Sequence, residues 1–258
     1  MKRRTLTRVV VALAATTMLM AVGAGAANAV FPDFTGCTAT DPEHEACIDI
    51  QNRRANLNIK GFNVPLGESL EIRGQLRWAE DPNRHTFYPP AGTNGFFARA
   101  VPVPGGIFGI EWLPGNTVLA ITELAGPSSA IEIDVATQTI RMPIKVRLVN
   151  LLLGMDCHIG TTSRPVVLTL IVGTTNPPPP NRPISGRLGT FRTFPEHRSS
   201  FGFIGNLNVE NSFAVPGATE CGLGLGLINS LVNLRLQLPS AAGNNSVEVV
   251  SDSALGLS

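Results

Sequence analysis

Alternation with a period of two constrains this chain more than any other feature of its sequence. In "SLEIRGQLRW" (69–78), Leu70, Ile72, Leu76 and Trp78 fall on one side, and Glu71, Arg73, Gln75 and Arg77 on the other. "AIEIDV" (130–135) repeats the pattern through Ile131, Ile133 and Val135, and "TIRMPIKVRL" (139–148) through Ile140, Met142, Ile144, Val146 and Leu148. Successive side chains of a strand point to opposite faces, so these segments predict antiparallel strands with one face in a core and one in water. Pro143 lies on the polar side of the third segment and cannot donate to a ladder, which predicts an edge strand or a bulge there. "PVVLTLIV" (165–172) is almost wholly apolar and predicts a strand buried on both faces. Helical spacing is confined to "LINSLVNL" (227–234), where Ile228, Leu231 and Val232 share a face and Pro239 supplies the stop. The expected fold class is all-β: an antiparallel β-sandwich or open barrel with long Pro/Gly loops and at most one or two short helices.

The N-terminus has the tripartite order of a secretory signal peptide. A basic head (Lys2, Arg3, Arg4, Arg8) precedes the uncharged run "VVVALAATTMLMAV" (9–22) and a small-residue site, Ala27-Asn28-Ala29. The run is short for a membrane span, so residues 1–29 are expected to be removed after Ala29, leaving 30–258 as the mature region. No later apolar segment reaches transmembrane length. The surroundings of Arg3-Arg4 match a twin-arginine signal poorly, which favours ordinary export. "FTGC", ending at Cys37, is not a lipidation site: Phe34 stands where a small aliphatic residue is required, and Pro32 and Asp33 separate it from the apolar run. The mature protein is expected outside the cell or associated with the envelope. The signal segment holds four of the chain's 20 basic side chains and none of its 19 acidic ones, so the remainder carries 16 against 19. That balance excludes the basic excess of a nucleic-acid or anionic-membrane binder.

"GTTNPPPPNRP" (173–183) is the clearest punctuation. Four consecutive prolines favour an extended, stiff segment. It separates either two lobes of the mature region or two strands of one sandwich.

An exported chain with four cysteines (Cys37, Cys47, Cys157, Cys221) is expected to form two disulfides, for which three connectivities exist. Economy of spacing favours Cys37–Cys47 as a local loop and Cys157–Cys221 as a long-range staple. The rival chemistries lack their spacings. "MDCHIG" (155–160) sets Asp156, Cys157 and His158 side by side, but neighbours in a strand face opposite ways, and no C-x-x-C, H-x-H or H-E-x-x-H pair exists. Asp41, Glu43, Glu45 and Asp49, with His44 among them, lack calcium-loop order and are expected to form a solvated acidic loop. No G-x-S-x-G elbow nominates a serine nucleophile. "PEHRSSFG" (195–202), with Glu196, His197, Ser199 and Ser200, gathers triad residue types in what is expected to be a polar loop. His85 and His158 complete the histidines. Gly222, Gly224 and Gly226 are spaced G-x-G-x-G, wrong for a dinucleotide fingerprint, and suit tight packing beside Cys221. Trp78, Trp112 and Tyr88 make a thin set of aromatic platforms for sugars. No catalytic, metal or cofactor residue is assigned, and no cofactor is expected.

"LLLGMDCHIGTTSRPVVLTLIVGTTNPPPPNRPISG", then "NSFAVPGATECG", then "LQLPSAAGNNSVEV" resembles a family of uncharacterised secreted actinobacterial proteins over roughly residues 90–258. The resemblance implies that Cys157 and Cys221 belong to one shared framework. It transfers no activity, and residues other than histidine are common in the family at the position of His158. The expected function is that of an exported, disulfide-stapled β protein in binding, adhesion or envelope structure. Its partner would be an envelope component or an apolar ligand; loops such as "VPVPGGIFGIEWLPG" (101–115) are expected either to line a pocket for such a ligand or to fill the core. The alternative is a secreted hydrolase whose Ser, His and acid are not visible as a motif.

Overall fold

The alternating segments become strands of one large antiparallel sheet. A computed structural model describes residues 31–37, 46–78, 85–110, 112–197, 199–222 and 226–257. The signal segment, its cleavage site at Ala29, and Asp41, Glu43, His44, Glu45 and Gly224 lie outside the described residues. In chain order the strands are β1 (Ala46–Ile59), β2 (Phe62–Pro65), β3 (Leu70–Trp78), β4 (His85–Tyr88) and β5 (Phe96–Ala98). Next come β6 (Val101–Pro102), β7 (Leu119–Leu124), β8 (Glu132–Asp134), β9 (Thr139–Val149), β10 (His158–Ile159) and β11 (Val166–Leu170). The last are β12 (Thr190–Thr193), β13 (Ser200–Glu210), β14 (Ala218–Thr219) and, after the helix α1 (Leu227–Leu236), β15 (Asn245–Leu257).

Their order is β12-β13-β15-β1-β3-β4-β8-β9-β10-β14, with β7 and β11 also paired to β9. The sheet does not close into a barrel. It doubles back, so that β13, β15, β1 and β3 face β8, β9, β7 and β11 across a shared core, a sandwich-like arrangement. Ile72, Leu76, Phe87, Ile131 and Met142 are among the most deeply buried side chains of that core. Phe31–Ser258 forms one compact unit, in which strands from before and after the Pro run interleave.

Two bulges keep the inward face apolar. β1 shifts register between Asn52 and Arg54, and β13 between Phe203 and Asn206, while β15 runs unbroken between them. An extra residue reverses the parity of every position beyond it. Ile48 and Ile50 therefore point inward before the first bulge, and Ala55, Leu57 and Ile59 after it. Asp252 of β15 ties both bulges at once. Its Oδ2 accepts from Arg53 Nε at 2.6 Å and its Oδ1 from the Gly205 amide at 2.8 Å.

Three expectations are corrected. Pro143 lies on neither an edge nor a bulge, since β9 is flanked on both sides. Its carbonyl accepts from Ala125 N at 2.9 Å, and the two polar positions of one strand residue point the same way. The ring nitrogen therefore faces the gap between β7 and β8, where no acceptor waits for it. β11 is buried on one face only: Val166, Leu168 and Leu170 are inside, Val167 and Thr169 half-exposed. Asp49 belongs to no solvated loop; it lies in β1, fully buried on the outer face. The segment 173–183 is the tip of a hairpin-like loop, closed by Gly186 N to Gly173 O and Thr175 N to Ile184 O. Asn181 pins it to the body through the carbonyls of Asn211 and Asn245, both at 2.8 Å.

The cover over Asp49 is the segment 31–37, tied to β1 by the Cys37–Cys47 disulfide. Asp49 Oδ2 accepts from Asp33 N at 2.7 Å and from Gln51 Nε2 at 2.9 Å, and Arg73 bridges Asp33 and Glu71. Burial pushes the Asp49 carboxyl up to about 8, helped by the charge of nearby Glu71 and opposed by Gln51 and Arg53.

Candidate functional site

Eleven large hydrophobic side chains stand exposed among the described residues, and eight of them gather at one end of the sandwich. They come from three segments. The loop between β6 and β7 contributes Phe108, Ile110 and Trp112; the β9–β10 connection contributes Leu151, Leu152 and Met155; and α1 contributes Leu227 and Leu234. Leu151 is 96% exposed, Trp112 81%, and Leu227 and Leu234 79% each. Scattered surface leucines mean little; these eight rise from three segments that are tied to one another.

Each segment is held rigidly enough to keep these side chains out of the core. The first is organised by Asn116, only 2% exposed. Its Nδ2 donates to Gly105 O (2.8 Å) and Ile110 O (2.6 Å), and its Oδ1 accepts from Phe108 N (2.8 Å). One side chain thus satisfies three backbone groups of a turn that no ladder could satisfy. Gly106 has φ +56°, and a Cβ there would overlap the Asn116 carbonyl oxygen, so the turn requires glycine. The loop then splits by side. Val103, Ile107 and Val118 enter the core, while Phe108, Ile110 and Trp112 stay outside.

Asn150 repeats the device in the second segment. Its Nδ2 donates to Gly115 O (2.9 Å) and Thr117 O (2.7 Å), binding this turn to the first loop, while its Oδ1 accepts from Leu152 N (2.8 Å). Leu153 anchors the turn in the core at 1% exposure. The Cys157–Cys221 disulfide, wholly buried, joins it to the third segment across 64 residues, and Gly222 N donates to Leu153 O at 2.8 Å. In α1, Val232 and Leu236 are buried, with Ile228 and Leu231 packed against the core. Asn229 and Asn233 accept from the amides of Cys221 (2.8 Å) and Ala218 (2.7 Å). Leu227 and Leu234, two turns apart, are left on an unpartnered face. Arg235 closes the ring of contacts: it donates to Pro104 O at 3.1 Å and lies over the Phe62 ring at 4.7 Å.

The charge pattern matches the apolar one. Across 104–118, 150–157 and 226–237 the sequence holds three charged residues, Glu111, Asp156 and Arg235. Depletion of charge at the centre of a surface is the compositional signature of an interface.

Among the described residues, the histidines and Ser200 are held by other partners. His85, 5% exposed, has Nδ1 against Ile133 O at 3.2 Å. His197 packs edge-on against Phe34, ring centroids 5.5 Å apart. Ser200 donates to the backbone carbonyls of Phe194 (3.0 Å) and His197 (2.7 Å), not to an imidazole. His158 has Nδ1 against Asp156 O at 2.7 Å and Nε2 3.5 Å from Glu123, which already holds Arg147 at 2.6 Å and Lys145 at 3.4 Å. Among the described residues no three His, Cys, Asp or Glu side chains converge as a metal site. Gly222 packs against Ile228 beside the disulfide.

The sequence offered the loop "VPVPGGIFGIEWLPG" either as pocket lining or as core. The structure divides it between core and surface, a split that apolar content alone does not signal. Comparison with known protein families, with curated proteins and with solved structures finds no match to this chain.

Proposed function

We propose that this chain is an exported, non-enzymatic binding protein of the cell envelope that seats its apolar end in a lipid surface. The observation that carries the reading is the gathering of eight exposed hydrophobic side chains on three segments clamped by Asn116, Asn150 and the Cys157–Cys221 bridge. Export is supported by the signal-like N-terminus and by four cysteines paired with none left free. The resemblance to secreted actinobacterial proteins fits the same reading. A lipid surface suits an exposed apolar end with few charges better than a charged partner does. Trp112 supplies the amphipathic ring that settles at the headgroup level. With few charges present, attachment comes from apolar insertion and not from attraction to anionic headgroups.

Flotation with neutral phosphatidylcholine vesicles tests this. The protein should rise with the vesicles equally at low and high salt, and Trp112→Ala combined with Leu151→Ala should weaken association at least tenfold. Protein that stays at the bottom of the gradient with neutral and anionic vesicles alike would refute the reading.

A further inference from the structure

The opposite end of the sandwich holds a cleft of about 230 Å³ between β13, β15 and β1 on one side and the β8–β9 turn on the other. Its walls are apolar: Ile48 and Ile50 from β1, Ile133 and Ile140 from β8 and β9, and Phe201 and Phe203 from β13. Phe191 of the edge strand β12 packs against both phenylalanines, with centroids 5.9 and 5.7 Å away. An opening of this kind in a well-packed protein invites a ligand, because the wall atoms lack partners on one side.

Polar groups line the inner strands of this cleft, where a purely structural gap would be dry. Asn206 Nδ2 donates to Ser253 Oγ at 3.0 Å, and its Oδ1 accepts from Gly189 N at 2.8 Å. Ser253 Oγ donates to Gln138 Oε1 at 3.3 Å, and Gln138 Nε2 donates to Val135 O at 2.6 Å. Ser251 Oγ donates to Asn208 Oδ1 at 2.8 Å. The chain of donors ends there: Asn208 lines the cleft, and among the described residues its amide nitrogen donates to no protein acceptor, nor is it one of the buried atoms left without a partner, so it meets the open space of the cleft. An amide that faces a cleft without a protein acceptor is open to an acceptor that arrives from outside. The charge nearest the site is Asp134, which lines the cleft and accepts from Thr137 N at 2.9 Å. A carboxylate there repels an anionic head.

We propose that this cleft binds a neutral amphiphile, an apolar chain or ring bearing an uncharged oxygen acceptor that takes the hydrogen bond from Asn208. Size sets the scale. A cavity of about 150 Å³ accommodates benzene, so this one holds on the order of nine or ten non-hydrogen atoms. A ligand that small binds with a Kd on the order of 100 µM. The site is independent of the apolar end and of the attachment assigned to it.

Ligand-observed NMR with octan-1-ol, octanoate and octylammonium tests the assignment on the full mature chain. Octan-1-ol should bind near the stated Kd, and octanoate at least tenfold more weakly. Asn208→Leu should weaken octan-1-ol about tenfold, and Ser253→Phe, which fills the cleft from a half-exposed position, should abolish its binding. Unfolding curves of both variants establish that they are folded. Should Asn208→Leu unfold, the comparison of octan-1-ol with octanoate and the Ser253→Phe variant still decide the matter. Equal affinity for octanoate, or undiminished binding by Ser253→Phe, would overturn the proposal. So would binding lost in Trp112→Ala and kept in Ser253→Phe, which would place the alcohol at the other end.

Discussion

The two ends of the sandwich use the same residue type to opposite effect. β9 connects them: Ile140 lines the cleft and Leu148 packs beneath the apolar end, roughly 26 Å further along at the usual rise per residue. At the apolar end Asn116 and Asn150 each make three hydrogen bonds to backbone groups, which leaves neither amide with anything to offer a ligand. Their work is spent on holding turns whose hydrophobic side chains face out. At the cleft the asparagines lie along a strand of the ladder, where their amides engage the hydroxyls of Ser253 and Ser251 and the amide of Gly189, and one donor is left over. Asparagine that completes a turn supports a surface of exposed apolar side chains. Asparagine that stands on a finished ladder equips a concave one.

Substitutions that separate the two ends would sharpen or break this contrast. At a fixed pH, the largest loss of stability is expected from the Cys157→Ala/Cys221→Ala double variant. Losing a bridge across 64 residues should cost about 4 kcal/mol in chemical denaturation, and vesicle association should fall with it, while octan-1-ol still binds the folded fraction. If vesicle association survived unchanged, the staple would not be what presents the apolar end. Next comes Asn116→Ala, which strips three backbone groups of their partner. A loss of about 2–4 kcal/mol is expected, with hydrogen exchange accelerated in 104–118 and unaltered in β13.

Asp49→Asn tests the outer face, away from both ends. An unfolded Asp49 titrates near 3.8, the folded one near 8. Between those values the folded state keeps a proton that the unfolded state has released, so this residue's contribution to stability is complete below pH 4 and is lost as pH rises toward 8. The variant should therefore gain on the parent by up to about 1.4 kcal/mol per pH unit in that window, and no further above it. Parallel stability curves for the two proteins would contradict the burial assigned to Asp49. The smallest stability effect belongs to Trp112→Ala, within about 0.5 kcal/mol of the parent, because the ring is largely in solvent already. A substitution that barely alters the melting curve yet weakens vesicle association would separate presentation from folding.

Much of the fold was legible because period-two patterning is a direct consequence of strand geometry. Ile131 and Ile133, or Ile140, Met142 and Ile144, are inside for the reason their spacing gives. Pro143 misled because a one-dimensional pattern carries no information about the second neighbour of a strand; the gap between β7 and β8 exists only once both have docked. Val167 misled because apolar composition does not distinguish two buried faces from one. Asp49 read as solvated from its acidic neighbours in sequence, although its neighbours in space are Asp33, Gln51 and Glu71. The apolar end was half legible. Low charge in 104–118 and 150–157 is visible in the sequence, but whether Phe108 and Trp112 turn inward depends on the hydrogen bonds of Asn116, which is one asparagine among many in this chain. The cleft had no signal at all, since its polar lining combines residues of β13, β15 and the β8–β9 turn.

The register of β1 carries a consequence for how such a chain is made. Ala46 lies opposite Leu257, and thirteen residues of β1 are matched, one by one, to the final strand. One edge of β1 finds β2 and β3 within a few residues, whereas the other must wait for nearly the whole remaining chain. A polypeptide emerging amino end first therefore carries a long open strand edge, with Ile48 and Ile50 on its apolar face, until β15 emerges. Such non-local pairing folds slowly, and an unpaired edge is a site of aggregation in the interval. Asp252 is what terminates that interval. By engaging the bulges of β1 and β13 together, it fixes β15 in register with both of its neighbours at one residue.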